Sequence, residues 1–105
     1  MAWVYLLAAG LFEIGFAVGL KASHGLSRPV PSLIMLACLG TSLWLLALAM
    51  RTLSLGTAYA IWTGIGSVGA VLFGMFLAGE GFSPGRLACV LLILAGVAGL
   101  KLLEG

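Results

Sequence analysis

Residues 2–20 read AWVYLLAAGLFEIGFAVGL, an apolar run that contains a single ionisable side chain, Glu13. A helix of about 20 apolar residues crosses the hydrocarbon core of a bilayer, so this run predicts a membrane span. A charge near the centre of such a span costs at least about 2.5 to 3.5 kcal/mol, and residues of this kind usually line a substrate or ion pathway. Glu13 is therefore the first candidate for a functional residue. The alternative is a neutral, hydrogen-bonded carboxyl group that serves helix packing.

The rest of the chain has the same apolar character, because 63 % of its 105 residues are hydrophobic and only 8 % are charged. Further uncharged runs cover 29–50, 52–79 and 87–100. The run at 52–79 is too long for one helix and is divided by a turn at 53–56. The sequence thus predicts an all-α integral membrane protein of one domain. Its four spans are expected at about 2–21, 30–50, 57–78 and 84–103.

Other functional classes find no support in the sequence. It contains no phosphate-binding glycine loop and no spacing of Cys, His or carboxylates typical of a metal site. His24 stands alone in the first loop, and both cysteines fall inside predicted spans. The net charge of +2 is distributed over the span ends, unlike a nucleic-acid-binding surface. We therefore predict no enzyme activity, no cofactor or metal, and no nucleic-acid partner.

Positive residues are nearly balanced between the two sides of the membrane. If the spans alternate in direction, Arg51 and Lys101 lie on the side of the N-terminus. Lys21, Arg28 and Arg86 lie on the opposite side. Because such residues set the orientation of membrane proteins, this balance predicts insertion in both orientations. The alternative is a strongly oriented partner subunit that fixes the direction of this chain.

Four short spans can hardly enclose a water-accessible path around Glu13, so we expect a dimer or a larger assembly. The fourth span repeats small residues at spacings of three and four, and small residues let membrane helices approach closely. We call this stripe the predicted dimer seam, and it comprises Cys89, Leu92, Gly96 and Gly99. The alternative is that the stripe packs within the monomer.

The neighbours of Glu13 predict a pocket. Residues three and four positions away on a helix share its face, and those of Glu13 include Gly10 and Phe16. Polar and aromatic side chains on the second and third spans are placed to face them. Aromatic rings attract cations, although aromatic side chains near span ends also form interfacial belts. The predicted pocket consists of Gly10, Phe16, Ser42, Tyr59, Trp62 and Thr63.

Glycines are concentrated in the third span, where Gly64 and Gly66 follow Trp62. Glycine weakens a helix locally and is one of the residues found at kinks. A transporter needs a hinge to alternate its access, so these two glycines are candidates for a helix hinge. Close packing against a neighbouring helix explains them equally well.

The chain resembles the small multidrug resistance family over its whole length. The resemblance is carried by Phe12-Glu13, by Pro31-Ser32 and above all by GTAYAIWTGIG at 56–66. The segment at 63–66 and Gly99-Leu100-Lys101 are similar to the guanidinium-exporter branch of that family. The resemblance implies multi-pass proteins of the inner membrane that pair as antiparallel dimers. It also implies that Glu13 binds substrate and protons alternately, and that Ser42, Tyr59 and Trp62 surround it.

One position departs from this branch, whose members usually carry Trp where this chain has Phe16. An apolar ring then replaces a hydrogen-bond donor toward Glu13, which favours bulkier or more hydrophobic cations. The leading hypothesis is a proton-coupled antiporter that exports guanidinium or small guanidinyl cations. Two alternatives stay open: a broad quaternary ammonium antiporter, which Phe16 favours, and an accessory membrane subunit that transports nothing itself.

Overall fold

The computed structural model describes residues 1–77 and 79–104, and the fold within them is helical throughout. Each helix is long and apolar enough to cross a membrane, and no strand occurs in the described residues. The predicted all-α membrane fold with four spans is therefore confirmed. The helices are α1 (Ala2–Ala22), α2 (Pro29–Ala49), α3 (Leu55–Phe76) and α4 (Pro84–Glu104).

The start of α3 differs from the prediction. Leu55 and Gly56 were predicted as part of a turn, but both are helical, so α3 begins two residues before the expected span. Ser54 adopts an extended conformation at the N-cap, and its N–H and hydroxyl donate to the Glu104 carboxylate at 3.0 and 3.1 Å. A carboxylate is favourable at a helix N-terminus, and this one comes from the end of α4. The sequence pattern could not reveal a cap from a residue 50 positions away.

The other ends agree closely with the predicted spans. α2 begins at Pro29, one residue earlier than expected, and proline suits the first position of a helix because its missing N–H is not needed there. The predicted third span ends at Ala78, which lies outside the described residues. The helix itself ends at Phe76.

The helices form a flat row in the order α2, α1, α3, α4. α1 packs along α2 and against α3, whereas α4 packs along α3 and reaches α1 through the Lys101 ammonium, which lies 4.9 Å from the centroid of the Trp3 ring. The Cα extents are 41 × 33 × 17 Å, so the arrangement is much broader than it is deep. One face of α1 and α3, and most of α4, is therefore not covered by the rest of the described chain.

The best-packed region joins α1, α2 and α3 near the N-terminal end of α1. Its side chains are at most 6 % exposed. Larger partly buried side chains, including Trp3, Leu53 and Leu100, surround them. The packing of this cluster fixes how the three helices cross. It thereby also fixes the direction in which the Glu13 face of α1 is turned. The buried members are Leu6, Ala9, Leu46, Ala49, Ala58 and Ile61.

Candidate functional site

Glu13 lies on the face of α1 that packs against α3. Its carboxyl group rests on Gly66, and a Cβ at that position would overlap the Glu13 carboxyl carbon. One carboxyl oxygen, Oε2, is buried and has no hydrogen-bond partner within residues 1–77 and 79–104. Buried polar atoms are nearly always hydrogen-bonded, and the exceptions call for an explanation. An acceptor left free in this way is available to a proton or to the N–H group of a cation.

The α1–α3 interface brings the two backbones close on either side of Glu13. Gly10 is buried and meets the side chain of Ile65, and Gly69 meets Ile14. Larger residues at these glycines would push the helices apart. Gly10, predicted as part of the pocket, therefore sets the helix spacing and lines no open space.

Ser42 connects three helices. Its hydroxyl is fully buried and donates to the carbonyl of Ala9 at 2.6 Å, one turn before Glu13. The same oxygen accepts the indole N–H of Trp62 at 2.8 Å. Serine in a membrane helix commonly bonds to its own backbone, but here it bridges α2 to α1 and α3. Since the N–H of Trp62 is bound to Ser42, it does not point to Glu13.

The remaining predicted pocket residues lie on the more open side of the row. Tyr59 is half exposed at 54 %, and its ring stands 5.4 Å from that of Trp62, centroid to centroid, at a tilt of 42°. Thr63 is exposed, and Phe16 is half-buried on α1. Glu13, Ser42 and Trp62 thus lie along the helix crossing. Tyr59 and Thr63 border the uncovered face of α3.

Close packing occupies both candidate hinge glycines. A Cβ on Gly64 would lie 2.8 Å from Cγ2 of Val97 in α4. The Glu13 carboxyl group packs directly on Gly66. α3 runs without a break from Leu55 to Phe76. The packing alternative therefore describes the observed contacts, while a hinge function for these glycines stays a prediction.

The predicted dimer seam is uncovered in the single chain. Leu92 is 73 % exposed, and a Cβ on Gly96 or Gly99 would meet nothing within 4 Å. Val90 and Val97 of α4 pack against the rest of the chain. Cys89, Gly96 and Gly99 border the open spaces beside α3, so the role of the stripe as a dimer seam stays a prediction.

Two features of this region escaped the sequence analysis. The first is the Ala9 carbonyl, because a backbone acceptor has no signature in the residue types. The second is a cavity of about 970 Å³ between α1, α3 and α4, at whose mouth Lys21 Nζ and Glu80 Oε2 form an ion pair of 3.2 Å. Glu80 is one of only three acidic residues in the chain, and that scarcity was the signal available.

No group of three potential metal ligands occurs among the described residues. The chemistry that this arrangement offers is the binding of a cation or a proton by a carboxylate inside a membrane.

Comparison with known proteins gives a consistent result. A family model described as Small Multidrug Resistance protein matches residues 1–93. The chain is 54 % identical over 102 residues to a guanidinium exporter of Citrobacter freundii, with 97 % of each chain covered. It is 56 % identical over 102 residues to a guanidinium exporter of Salmonella typhi, again with 97 % of each covered. A guanidinium exporter of Yersinia pseudotuberculosis is 54 % identical over 97 % of this chain and 98 % of its own.

These matches confirm the resemblance that was carried by the motif at 56–66. Together with the four apolar helices they identify a multi-pass protein of the inner membrane. The chain belongs to the small multidrug resistance family.

Proposed function

We propose that this chain is a transporter that exports guanidinium or a small guanidinyl cation in exchange for protons, and that Glu13 binds the two alternately. The observation that carries the proposal is the Glu13 carboxyl group. It lies between two membrane-spanning helices with one oxygen buried and no hydrogen-bond donor among the described residues. The relatives named as guanidinium exporters support the class of cation. The chain is accordingly a transporter and not an enzyme.

The chemistry of the cation suits a single carboxylate. Guanidinium is planar and carries N–H donors on every edge, so a carboxylate can hold it through two parallel, charge-assisted hydrogen bonds. By analogy with arginine it keeps its positive charge at physiological pH. It therefore needs an anionic group along its path through the hydrocarbon core, and Glu13 is the one acidic residue within 2–20.

Competition for Glu13 explains the coupling to protons. A carboxyl group that has bound a proton has lost the negative charge that attracts the cation. The coupling requires that the site switches its opening from one side of the membrane to the other only when Glu13 has bound a proton or a cation. A proton that enters on one side then drives a cation out on the other. Two Glu13 residues brought together by a dimer would titrate as a coupled pair.

The transporter works as an antiparallel homodimer in this proposal. The face of α3 that Tyr59 and Thr63 border is uncovered in the single chain, and a second copy would cover it. The uncovered seam on α4 offers a surface for close helix approach. The near balance of positive charges between the two membrane sides supports opposite orientations of the two copies.

A second candidate function is the export of bulky quaternary ammonium cations. It is favoured by Phe16, which is half-buried one turn from Glu13 on α1. A quaternary ammonium ion has no N–H donors, so it relies on charge and on contact with apolar and aromatic surfaces. Phe16 provides such a surface where the guanidinium-exporter branch usually has Trp.

Transport in liposomes that contain only this protein tests the proposal. We expect a pH gradient to drive guanidinium uptake or release. We expect Glu13→Gln to reduce this transport to the rate of protein-free liposomes, because glutamine has no negative charge and no titratable group. Transport rates measured separately for guanidinium and for a bulky quaternary ammonium ion distinguish the two candidate functions.

Each outcome of this assay has a defined meaning. Transport of the bulky cation alone would replace the leading proposal with the second candidate. Absence of transport for both cations would contradict both, and would favour an accessory subunit that needs a different partner chain. Unchanged transport in Glu13→Gln would remove Glu13 from the mechanism.

A further inference from the structure

The cavity between α1, α3 and α4 continues the interface that holds Glu13. On α1 its wall includes Ala17 and Lys21, which follow Glu13 at intervals of four residues. On α3 its wall includes Ala70 and Gly74, which follow Gly66 at the same interval. Residues at this spacing share one face of a helix. The cavity thus begins one turn beyond the contact of Glu13 with Gly66 and extends along the same pair of faces.

The far end of these faces carries a second carboxylate. Beyond α3 the chain folds back, and the backbone N–H of Glu80 donates to the carbonyl of Gly74 at 2.9 Å. The Glu80 carboxyl group lies over Gly74 in the space that a Cβ would occupy. Eight residues separate Gly74 from Gly66, so this carboxylate lies about 12 Å further along the interface at about 1.5 Å per residue.

The side chains at the cavity mouth carry a net positive charge, which opposes the entry of a cation. Lys21 and Arg86 both line the cavity, and Glu80 is the carboxylate that faces them. Lys21 pairs with Glu80, whereas Arg86 forms no salt bridge within the described residues. The mouth therefore has an excess of one positive charge, and Glu80 is its single negative group.

The ion pair is suited to opening. The Lys21 side chain is 74 % exposed and that of Glu80 38 %, and exposed ion pairs contribute little to stability because water screens them. The Lys21 ammonium has a long, flexible stem and is well solvated when released. A guanidinium ion, by contrast, presents a planar pair of N–H donors that engages both oxygens of a carboxylate.

We propose that Glu80 is an outer cation-binding site, on which the transported guanidinium-type cation replaces the Lys21 ammonium on its way between solution and Glu13. The inference rests on the proposed function and adds a step to it. Lys21 acts as a tethered competitor that covers Glu80 when no substrate is present. Glu80 is a binding residue, and Lys21 and Arg86 determine how strongly the mouth repels or admits a cation.

The test compares the two members of the ion pair. Lys21→Gln and Glu80→Gln both break the pair, so a merely structural role would change transport in the same direction in both variants. An outer cation site predicts opposite changes. Glu80→Gln should raise the KM for guanidinium about two- to fivefold, the range of one exposed charge interaction, and Lys21→Gln should lower it by a similar factor. The kcat should stay unchanged in both, because Glu13 is intact.

Matched controls separate local from general charge effects. Arg28→Gln removes a positive charge from the same side of the membrane, and Arg28 does not line the cavity. Glu104→Gln removes a carboxylate at the opposite end of the helices. Both should keep the wild-type KM. Glu80→Asp retains the charge and should stay close to wild type, which keeps the test valid if Glu80→Gln folds poorly.

The possible results lead to different conclusions. Opposite shifts of KM for Lys21→Gln and Glu80→Gln, with unchanged controls, support the outer site. Wild-type transport combined with shifts of the same sign, or with none, overturns the inference and leaves the proposed function intact. A wild-type protein that transports no guanidinium overturns the proposed function, and the outer site with it.

Discussion

At the scale of single residues, the distinguishing feature of the site is a Glu13 carboxyl oxygen without a hydrogen-bond partner among the described residues. This oxygen, Oε2, is buried. The indole N–H of Trp62 is bound to Ser42 at 2.8 Å. The carboxylate is therefore held in position by packing on Gly66 and keeps its capacity to bind an external donor. This combination suits a group that exchanges one positive ligand for another.

Selectivity is expected to depend on Phe16. Phe16→Trp introduces an N–H group and a larger ring one turn from Glu13, so it should favour a small cation that shares hydrogen bonds and should exclude bulky ones. We expect the ratio of guanidinium to quaternary ammonium transport to rise about tenfold, corresponding to about 1.4 kcal/mol. Competitive transport in liposomes measures this ratio. Phe12→Trp, on an exposed position of α1, is the control, and equal ratios in both variants would contradict the role of Phe16.

At the scale of elements, the buried hydroxyl of Ser42 in α2 is hydrogen-bonded to both α1 and α3. Ser42 receives the N–H of Trp62 in α3 and donates to the Ala9 carbonyl in α1. In hydrocarbon no water can replace such bonds. The crossing of α1 with α3, and hence the direction of Glu13, depends on this contact together with the close approach of Gly10 and Ile65.

Removal of this hydroxyl should therefore weaken both stability and function. Ser42→Ala leaves the Trp62 N–H without its acceptor, and an unsatisfied buried polar group costs about 1–3 kcal/mol. We expect a lower melting temperature of the purified protein in detergent and weaker guanidinium binding. Ser32→Ala, which removes an exposed hydroxyl bonded to the Arg28 carbonyl at 2.6 Å, should have little effect. Equal melting temperatures for the two variants would show that the Ser42 contacts contribute no net stability.

At the scale of the whole molecule, the chain is an incomplete layer. The backbone of α4 lies close to α3 alone, although Lys101 reaches the Trp3 ring of α1 at 4.9 Å from its centroid. The glycines of the predicted dimer seam on α4 have open space around them. Packing of small residues is a main source of helix association in lipid, where apolar side chains gain little from leaving the bilayer. In the proposed homodimer, a second copy would cover this face.

Two glycines that both have open space at the Cβ position provide the test. A Cβ on Gly96 or on Gly40 would meet nothing within 4 Å, so leucine at either position should leave the fold of one chain intact. Gly96→Leu is expected to weaken self-association and transport together, because it separates the helices at the seam. Gly40→Leu, on α2, should preserve both. Fluorescence energy transfer between labelled copies in liposomes measures the association, and equal values for the two variants would exclude this seam.

The sequence by itself determined the number of helices, their location in the membrane and the identity of the central carboxylate. These properties follow from apolar length and from the cost of a charge in lipid, and both are local along the chain. The family motif at 56–66 was likewise recognisable from the sequence alone. The contacts between the helices could not be predicted from the sequence.

Only the tertiary structure decided that Gly66 lies under Glu13, that Ser42 bonds the Ala9 carbonyl, and that Glu80 pairs with Lys21 beside a cavity. It also moved the start of α3 to Leu55 through a cap supplied by Glu104. The physical reason is that helices in lipid are apolar on every side, so periodicity does not indicate which face meets a neighbour. Rotation and crossing are set by the fit of glycines against opposing side chains, and that fit exists only once the helices are assembled.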